Sequence, residues 1–314
     1  MTAVPPGSPT SPRQYREAFA VHNYLLPSQA ATVVFLAGRL EKPVLVEGPA
    51  GVGKTDLARV LARVLDRRLI RLQCYEGLDE GKALYEWQYG KQLLYTQVLK
   101  DKISESLPPG ADLGQAMDRV FEFDDIFFSP RFLQPRPLLE AISSDRPTVL
   151  LVDEVDKSDA EFEAFLLEVL SDFAVSIPEI GTLTARTIPR VILTSNNSRE
   201  MSDALKRRCL HLYLDFPPRE TEVEIIRLKV PGLGGLAAGQ IAAVVERLRR
   251  LPLKKTPSIS ETLDWAAALV ALGVESLSED ALTATLGVIL KYESDLARAR
   301  EELPELKKEL AGGG

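Results

Sequence analysis

Only two cysteines, Cys74 and Cys209, occur in the 314 residues. Two distant cysteines make no disulfide framework, which excludes the small cross-linked secreted class and fits a reducing, cytoplasmic setting. Histidine is equally scarce, with His22 and His211 alone. Cys209 and His211 would share one strand face, but two ligands do not close a zinc site, so plain packing is the reading. No apolar run approaches the ~20 residues a membrane span needs. The N-terminal stretch "MTAVPPGSPTSPRQ" lacks a basic-then-apolar leader pattern, and its Pro, Ser and Thr content predicts disorder over residues 1–14. A net charge of −7 argues against a dedicated nucleic-acid binder.

What is present is an ordinary globular composition, 45% hydrophobic, long enough for about two domains. Short apolar runs recur: "PVLVEG" (43–48), "LIRLQC" (69–74), "TVLLV" (148–152), "VILTS" (191–195) and "LHLYL" (210–214). Helical patterns alternate with them, one over "SQAATVVFLAGRL" with Ser28 as its expected cap, another over Thr55–Leu65. Continuous β-branched and leucine runs alternating with helices predict a five-stranded parallel sheet covered on both faces, an α/β fold. A capping box is expected at Ser158 and Glu161, and a hairpin over Val175–Ala185 with Gly181 near its turn.

Between the second and third runs lies a segment longer than a crossover needs, about residues 75–147, carrying "LYEWQY" and "FEFDDIFFSPRF". Its Phe121, Phe123, Phe127, Phe128 and Phe132 read best as anchors of an insert, with contact to a partner as the competing reading. From Pro217 the pattern turns helical: about 220–229, 239–251, 260–272 and 279–292. The expected division is an α/β nucleotide-binding domain over 15–216, a small all-helical lid over 217–300 and a charged, flexible tail over 301–314.

The chemistry concentrates in three strings. "GPAGVGKT" comprises Gly48, Pro49, Ala50, Gly51, Val52, Gly53, Lys54 and Thr55, and it matches G-x-x-x-x-G-K-[ST] in full. Its glycines let backbone N–H groups wrap a triphosphate, and the following helix presents its positive end. Lys54 can reach the β- and γ-phosphates, and the Thr55 hydroxyl can bind Mg²⁺. "LLVDEVD" ends an apolar strand with Asp153, suited to Mg²⁺, and Glu154, suited to polarise the attacking water. The pair of acids points to hydrolysis, and the lack of N-K-x-D disfavours a guanine-specific switch. "LTSNNSREMSDALKRRC" places Asn196 at the tip of the fourth strand, where an amide can hold water between Glu154 and the γ-phosphate. Asn197 could serve instead, and a plain Asn-Asn-Ser turn competes. Lys206, Arg207 and Arg208 close the next helix. A cation there suits the γ-phosphate of a neighbouring subunit, an arginine finger, against the competing reading of a basic C-terminus answering its own helix dipole.

Together these strings resemble the AAA+ ATPases over about residues 25–292. Longer strings, among them "QCYEGLDEGKALYEWQY", "DDIFFSPRFLQPRPLLEAI", "IPEIGT" and "SISETLDWA", resemble the MoxR branch and, within it, the CoxD-like proteins. The resemblance implies a P-loop NTPase fold, ATP and Mg²⁺ as cofactors and a hexameric ring. By residue it implies Lys54 and Thr55 for phosphate and metal, Asp153 for metal, Glu154 as base, Asn196 as first sensor, and Arg208 as finger with Arg207 as its alternate. It further implies a chaperone that remodels or matures a client, often with a von Willebrand factor A domain partner. For the CoxD-like group the client is a molybdenum–copper carbon monoxide dehydrogenase. One departure stands out: the third lid helix opens with Ser260 and Glu261 where many relatives place an arginine. Two other functions use the same engine, a motor or loader on nucleic acid and a non-catalytic nucleotide-dependent scaffold. The acidic balance weighs against the first, Glu154 and Arg208 against the second.

Overall fold

A computed structural model describes residues 8–106, 129, 131–178 and 180–311. Helices α1 (Pro12–Val21) and α2 (Ser28–Leu40) precede strand β1 (Val44–Glu47), helix α3 (Lys54–Val64) and strand β2 (Arg68–Gln73). The long insertion holds α4 (Glu80–Leu84), β3 (Tyr85–Trp87), α5 (Tyr89–Ser106), β4 (Leu133–Pro135) and α6 (Pro137–Ser143). Then come β5 (Thr148–Asp153), a 3₁₀ turn at Val155–Lys157, α7 (Ala160–Asp172), β6 (Ala174–Ile177) and β7 (Gly181–Thr184). Strand β8 (Arg190–Ser195), α8 (Asp203–Arg208) and β9 (Leu210–Tyr213) complete the sheet region.

The five runs read as strands form one sheet in the order β2-β5-β8-β1-β9, and every neighbouring pair is parallel. Side chains alternate across it. Leu45, Ile70, Leu150, Val152, Val191 and Leu193 enter a core on one face, with α6 and α7. Val44, Val46, Val149, Leu151, Ile192 and Leu212 enter the core on the other, with α1, α2 and α3. All of β5 is buried, which explains its unbroken apolar run and leaves its last residue, Asp153, only 2% exposed. β6 and β7 pair as the expected antiparallel hairpin.

A third core is purely helical. Helices α9 (Arg219–Lys229), α10 (Gly235–Arg249), α11 (Ile259–Ala271), α12 (Glu279–Ile289), α13 (Glu293–Glu301) and α14 (Leu303–Ala311) surround Ile226, Ile241, Trp265, Leu282 and Leu286. Within the stretch expected as a flexible tail, Leu303–Ala311 form α14, and Leu306 is fully buried in this core. The helical run breaks at Glu302, between α13 and α14, and Pro304 sits in the first turn of α14, where a proline is tolerated. Likewise α1 begins at Pro12, inside the stretch expected to be disordered, capped by Ser11. No described helix is long and apolar enough to cross a membrane.

Two caps differ from expectation. Pro27, not Ser28, is the N-cap of α2, and its carbonyl accepts from Ala31 N at 2.9 Å. At α7 the 3₁₀ turn consumes Ser158, whose Oγ donates to the Val155 carbonyl, so Asp159 takes the cap and accepts from Phe162 N at 2.8 Å. Of the aromatic series in the insertion, Phe132 is 1% exposed and packs in the first core, edge-on to Tyr95. Phe121, Phe123, Phe127 and Phe128 lie outside the described residues.

Candidate functional site

The loop from Gly48 to Gly53 joins β1 to α3 at the C-terminal end of the sheet, where open α/β sheets place their ligand sites. Two of its glycines are required by geometry. Gly48 has φ 147°, and a Cβ there would lie 1.9 Å from the Leu214 carbonyl oxygen. Gly51 has φ 73°, and a Cβ would lie 2.4 Å from Ser258 Oγ. Side chains at either position would push strand β9 or the lid away from the loop.

Lys54 opens α3 and turns back into its own loop, donating to the carbonyls of Gly48 and Pro49 at 2.7 Å each. It is 6% exposed, and burial holds its ammonium below the usual lysine range against the raising influence of Asp156, Asp153 and Glu154. A phosphate oxygen offers this buried cation a charged acceptor in place of neutral carbonyls.

Asp153 is the hub. Its Oδ1 accepts from Thr55 Oγ1 at 3.0 Å and from Thr194 Oγ1 at 2.5 Å, while its Oδ2 accepts from Arg71 Nη2 at 2.6 Å and Nε at 3.0 Å. Thr55 and Asp153 thus meet as oxygen donors, a set that suits a hard octahedral cation such as Mg²⁺. Glu154 follows in the left-handed region, φ 57°, a conformation that costs an ordinary residue of order 1–3 kcal/mol. Its Oε1 accepts from Asn196 Nδ2 at 3.3 Å, and its Oε2 from Gln73 Nε2 at 2.9 Å and Lys157 Nζ at 2.5 Å.

Of the two asparagines, Asn196 touches Glu154, whereas Asn197 adopts φ 59° and its amide oxygen accepts from Ser195 Oγ at 3.4 Å. The Asn196 loop is pinned by Asp156, whose Oδ2 accepts from Asn196 N at 3.2 Å, Ser198 N at 3.0 Å and Ser198 Oγ at 2.6 Å. Burial pushes this carboxyl up, but those hydrogen bonds outweigh it and hold Asp156 below the usual carboxylate range.

These groups line one cavity of about 450 Å³, which Ala50, Gly51, Val52, Gly53, Lys54, Thr55, Asp153, Glu154 and Asn196 share with Ile225 and Lys229 on α9 and Leu263 on α11. That volume is within the range of nucleotide-sized pockets. The N-terminus of α11 docks directly on the phosphate loop, with Ser260 N donating to the Gly51 carbonyl at 3.3 Å and Ser260 Oγ at 3.4 Å. Lys229 on α9 reaches Asp56 on α3 at 3.1 Å. Arg208 is not part of the cavity: it is exposed at the end of α8, and its guanidinium donates to Ser171 on α7. Arg207 beside it is exposed as well.

Sequence reading missed Arg71, Gln73, Thr194 and Asp156. The signal was present for two of them: "LIRLQC" interrupts an apolar strand with Arg71 and Gln73, and the parallel register sets Gln73 beside Asp153.

The profile of the AAA domain (dynein-related subfamily) matches residues 43–209, from β1 to the end of α8. Gas vesicle ATPase GvpN1 of Halobacterium salinarum is 26% identical over 272 residues, covering 83% of this chain and 72% of that protein. Gas vesicle ATPase GvpN of Haloferax mediterranei is 29% identical over 66% of this chain and 56% of its own length. Chaperone protein ClpB of Corynebacterium diphtheriae is 29% identical over 67% of this chain but only 21% of its own. Among solved structures, the Thermotoga maritima RuvB Holliday junction branch migration motor aligns over 96% of this chain and 80% of that one, at 18% identity and a TM-score of 0.47.

Proposed function

Because the chain belongs to the AAA domain family, in its dynein-related subfamily, and is an ATPase of that family, we propose that it couples ATP hydrolysis to the remodelling or maturation of a client protein. The observation that carries the hydrolytic half is the meeting of Lys54, Thr55, Asp153, Glu154 and Asn196 in one cavity while Arg208 stands exposed outside it. The chaperone half is supported by the similarity to ClpB, named a chaperone, and by the MoxR-like strings of the sequence.

In this reading Lys54 exchanges the Gly48 and Pro49 carbonyls for β- and γ-phosphate oxygens of ATP. Thr55 and Asp153 hold Mg²⁺, which supplies charge neutralisation on the phosphates. Asn196 positions a water, and Glu154 accepts its proton as the water oxygen bonds to the γ-phosphorus and the bond to the β–γ bridging oxygen breaks. Arg208 of a neighbouring protomer neutralises charge gathering on the transferred group. The protomers form a ring, with six as the family's usual number. Ser260 and Lys229, in contact with the phosphate loop and α3, carry the nucleotide state to the helical lid in place of the absent arginine.

The finer reading is a MoxR-type, CoxD-like chaperone. It works with a von Willebrand factor A domain partner and assists metal-centre assembly in an enzyme of the molybdenum–copper carbon monoxide dehydrogenase kind. A Glu154→Gln variant tests both levels. It binds ATP with parental affinity and does not turn it over, and the ATP-locked protein retains its client. Normal turnover removes Glu154 from its role. Retention of clients unrelated to molybdenum hydroxylases, with turnover lost, removes the CoxD-like assignment and leaves the ATPase intact.

A further inference from the structure

A second pocket, of about 280 Å³, opens at the opposite end of the sheet from the phosphate loop. It lies where β2 and β8 begin, and its walls carry Arg67, just before β2, Arg190, the first residue of β8, and Arg39 near the end of α2. Glu41 is the one acidic residue among the described residues lining it, so three guanidinium groups face a single carboxylate. The Nε and Nη1 atoms of Arg67 are buried and have no hydrogen-bond partner among the described residues. Buried guanidinium donors without acceptors are costly and rare, and each calls for an explanation.

We propose that this pocket is a binding site for a small dianion of the phosphate class, gripped by Arg39, Arg67 and Arg190. Three charges against one leave an excess of about two, which a phosphate or phosphate-monoester dianion balances. The planar fork of arginine matches the paired oxygens of such a ligand. The volume lies near the lower end of small-molecule pockets, roughly 300 Å³, and so suits a compact anion over a nucleotide. Burial and the nearness of Arg190 both hold Arg67 below the usual arginine range, the mark of cations packed together without sufficient counter-charge. Arg190 is lowered in the same way, by burial, with Tyr15 and Glu41 acting against it. Burial raises Tyr15 despite the opposing pull of Arg190, Arg67 and Arg39.

The test is thermal unfolding of the whole protein in inorganic phosphate against chloride at equal ionic strength. With phosphate about a hundredfold above its Kd, the midpoint rises by roughly 5 °C. The rise persists in Lys54→Ala, which disables the phosphate loop, and shrinks to the chloride value in Arg67→Gln. Arg39 is exposed, so Arg39→Gln provides a variant whose folding is not at stake; it weakens the phosphate response at least tenfold in apparent affinity while melting normally in chloride. Glycerol 2-phosphate distinguishes the ligand's source: a rise equal to that in phosphate assigns the pocket to monoesters, a rise in phosphate alone to the free anion. Equal midpoints in phosphate and chloride overturn the proposal. So does a rise lost in Lys54→Ala and kept in both arginine variants, which would belong to the phosphate loop.

Discussion

Gln73 donates to Glu154 at 2.9 Å, from a strand position in parallel register with Asp153. With Lys157 on the same oxygen and Asn196 on the other, every oxygen of the proposed base has a partner. A base must turn a free lone pair toward water, so the Gln73 contact opposes activity. Gln73→Ala removes a hydrogen bond worth about 1 kcal/mol, and basal turnover rises about fivefold with little change in ATP affinity. Steady-state kinetics over ATP concentration check this; an unchanged or lower kcat contradicts it.

Arg71 is the cation that Asp153 holds in this structure, at 2.6 Å, although its side chain is 44% exposed while that of Asp153 is 3%. Arg71→Ala strips a buried carboxylate of its charged partner. That change costs about 1–3 kcal/mol, and the exposure of Arg71 puts it at the low end. The melting midpoint without nucleotide falls, and Mg²⁺ with ATP restores more of it than in the parent, because the metal supplies the missing charge. Equal recovery in both proteins argues against that substitution of one cation for another.

Asp156 fastens the Asn196 loop through its three accepted hydrogen bonds. Asp156→Ala frees the loop and lowers kcat about tenfold, equivalent to about 1.4 kcal/mol, with KM nearly constant. Acid stability reports the same contact. The folded-state value of Asp156 lies below its ordinary 3.8, so its contribution is complete above pH 3.8 and disappears as pH falls through the folded value. Acid unfolding of Asp156→Asn lacks that component.

Both thiols are buried, and burial pushes Cys74 and Cys209 from 9.0 up to about 12. The thiolate is the reactive form. Iodoacetamide at pH 8 therefore labels neither at a rate approaching that of the unfolded chain. Above pH 9 the unfolded thiols ionise while the folded ones do not, so this contribution to stability declines between pH 9 and about 12. Rapid labelling of the native protein contradicts the burial of these side chains.

The sheet was legible because its central strands β1, β5 and β8 are buried on both faces and so carry unbroken apolar runs, β5 being the extreme case, while the edge strands β2 and β9 mix exposed polar residues into theirs. The loop at Gly48–Thr55 was legible because its backbone geometry admits so few residues. Caps were less so: at α7, Ser158 and Asp159 are both good caps, and only the 3₁₀ turn decides between them. Arg71 and Gln73 were passed over because a polar residue at a strand end is ordinarily solvated, and their meaning depends on which strand lies alongside. The contact of Ser260 with Gly51 links residues far apart in the chain, and a serine at a helix start reads from sequence as a cap alone. Leu306 shows the same limit: Leu303, Leu306 and Leu310 recur at helical spacing, but three leucines in a charged stretch fit a solvated helix as well as one docked on a core.

The most direct test of the account is complementation between two inactive variants. Lys54→Ala cannot grip ATP, and Arg208→Ala lacks the cation that a protomer offers its neighbour. Each alone turns over ATP at least ~10³-fold more slowly than the parent. Mixed, they recover a measurable fraction of parental turnover, from interfaces that pair an intact Lys54 with an intact Arg208. A mixture no faster than the sum of its parts, at concentrations where the parent is assembled and active, contradicts an active site completed between protomers.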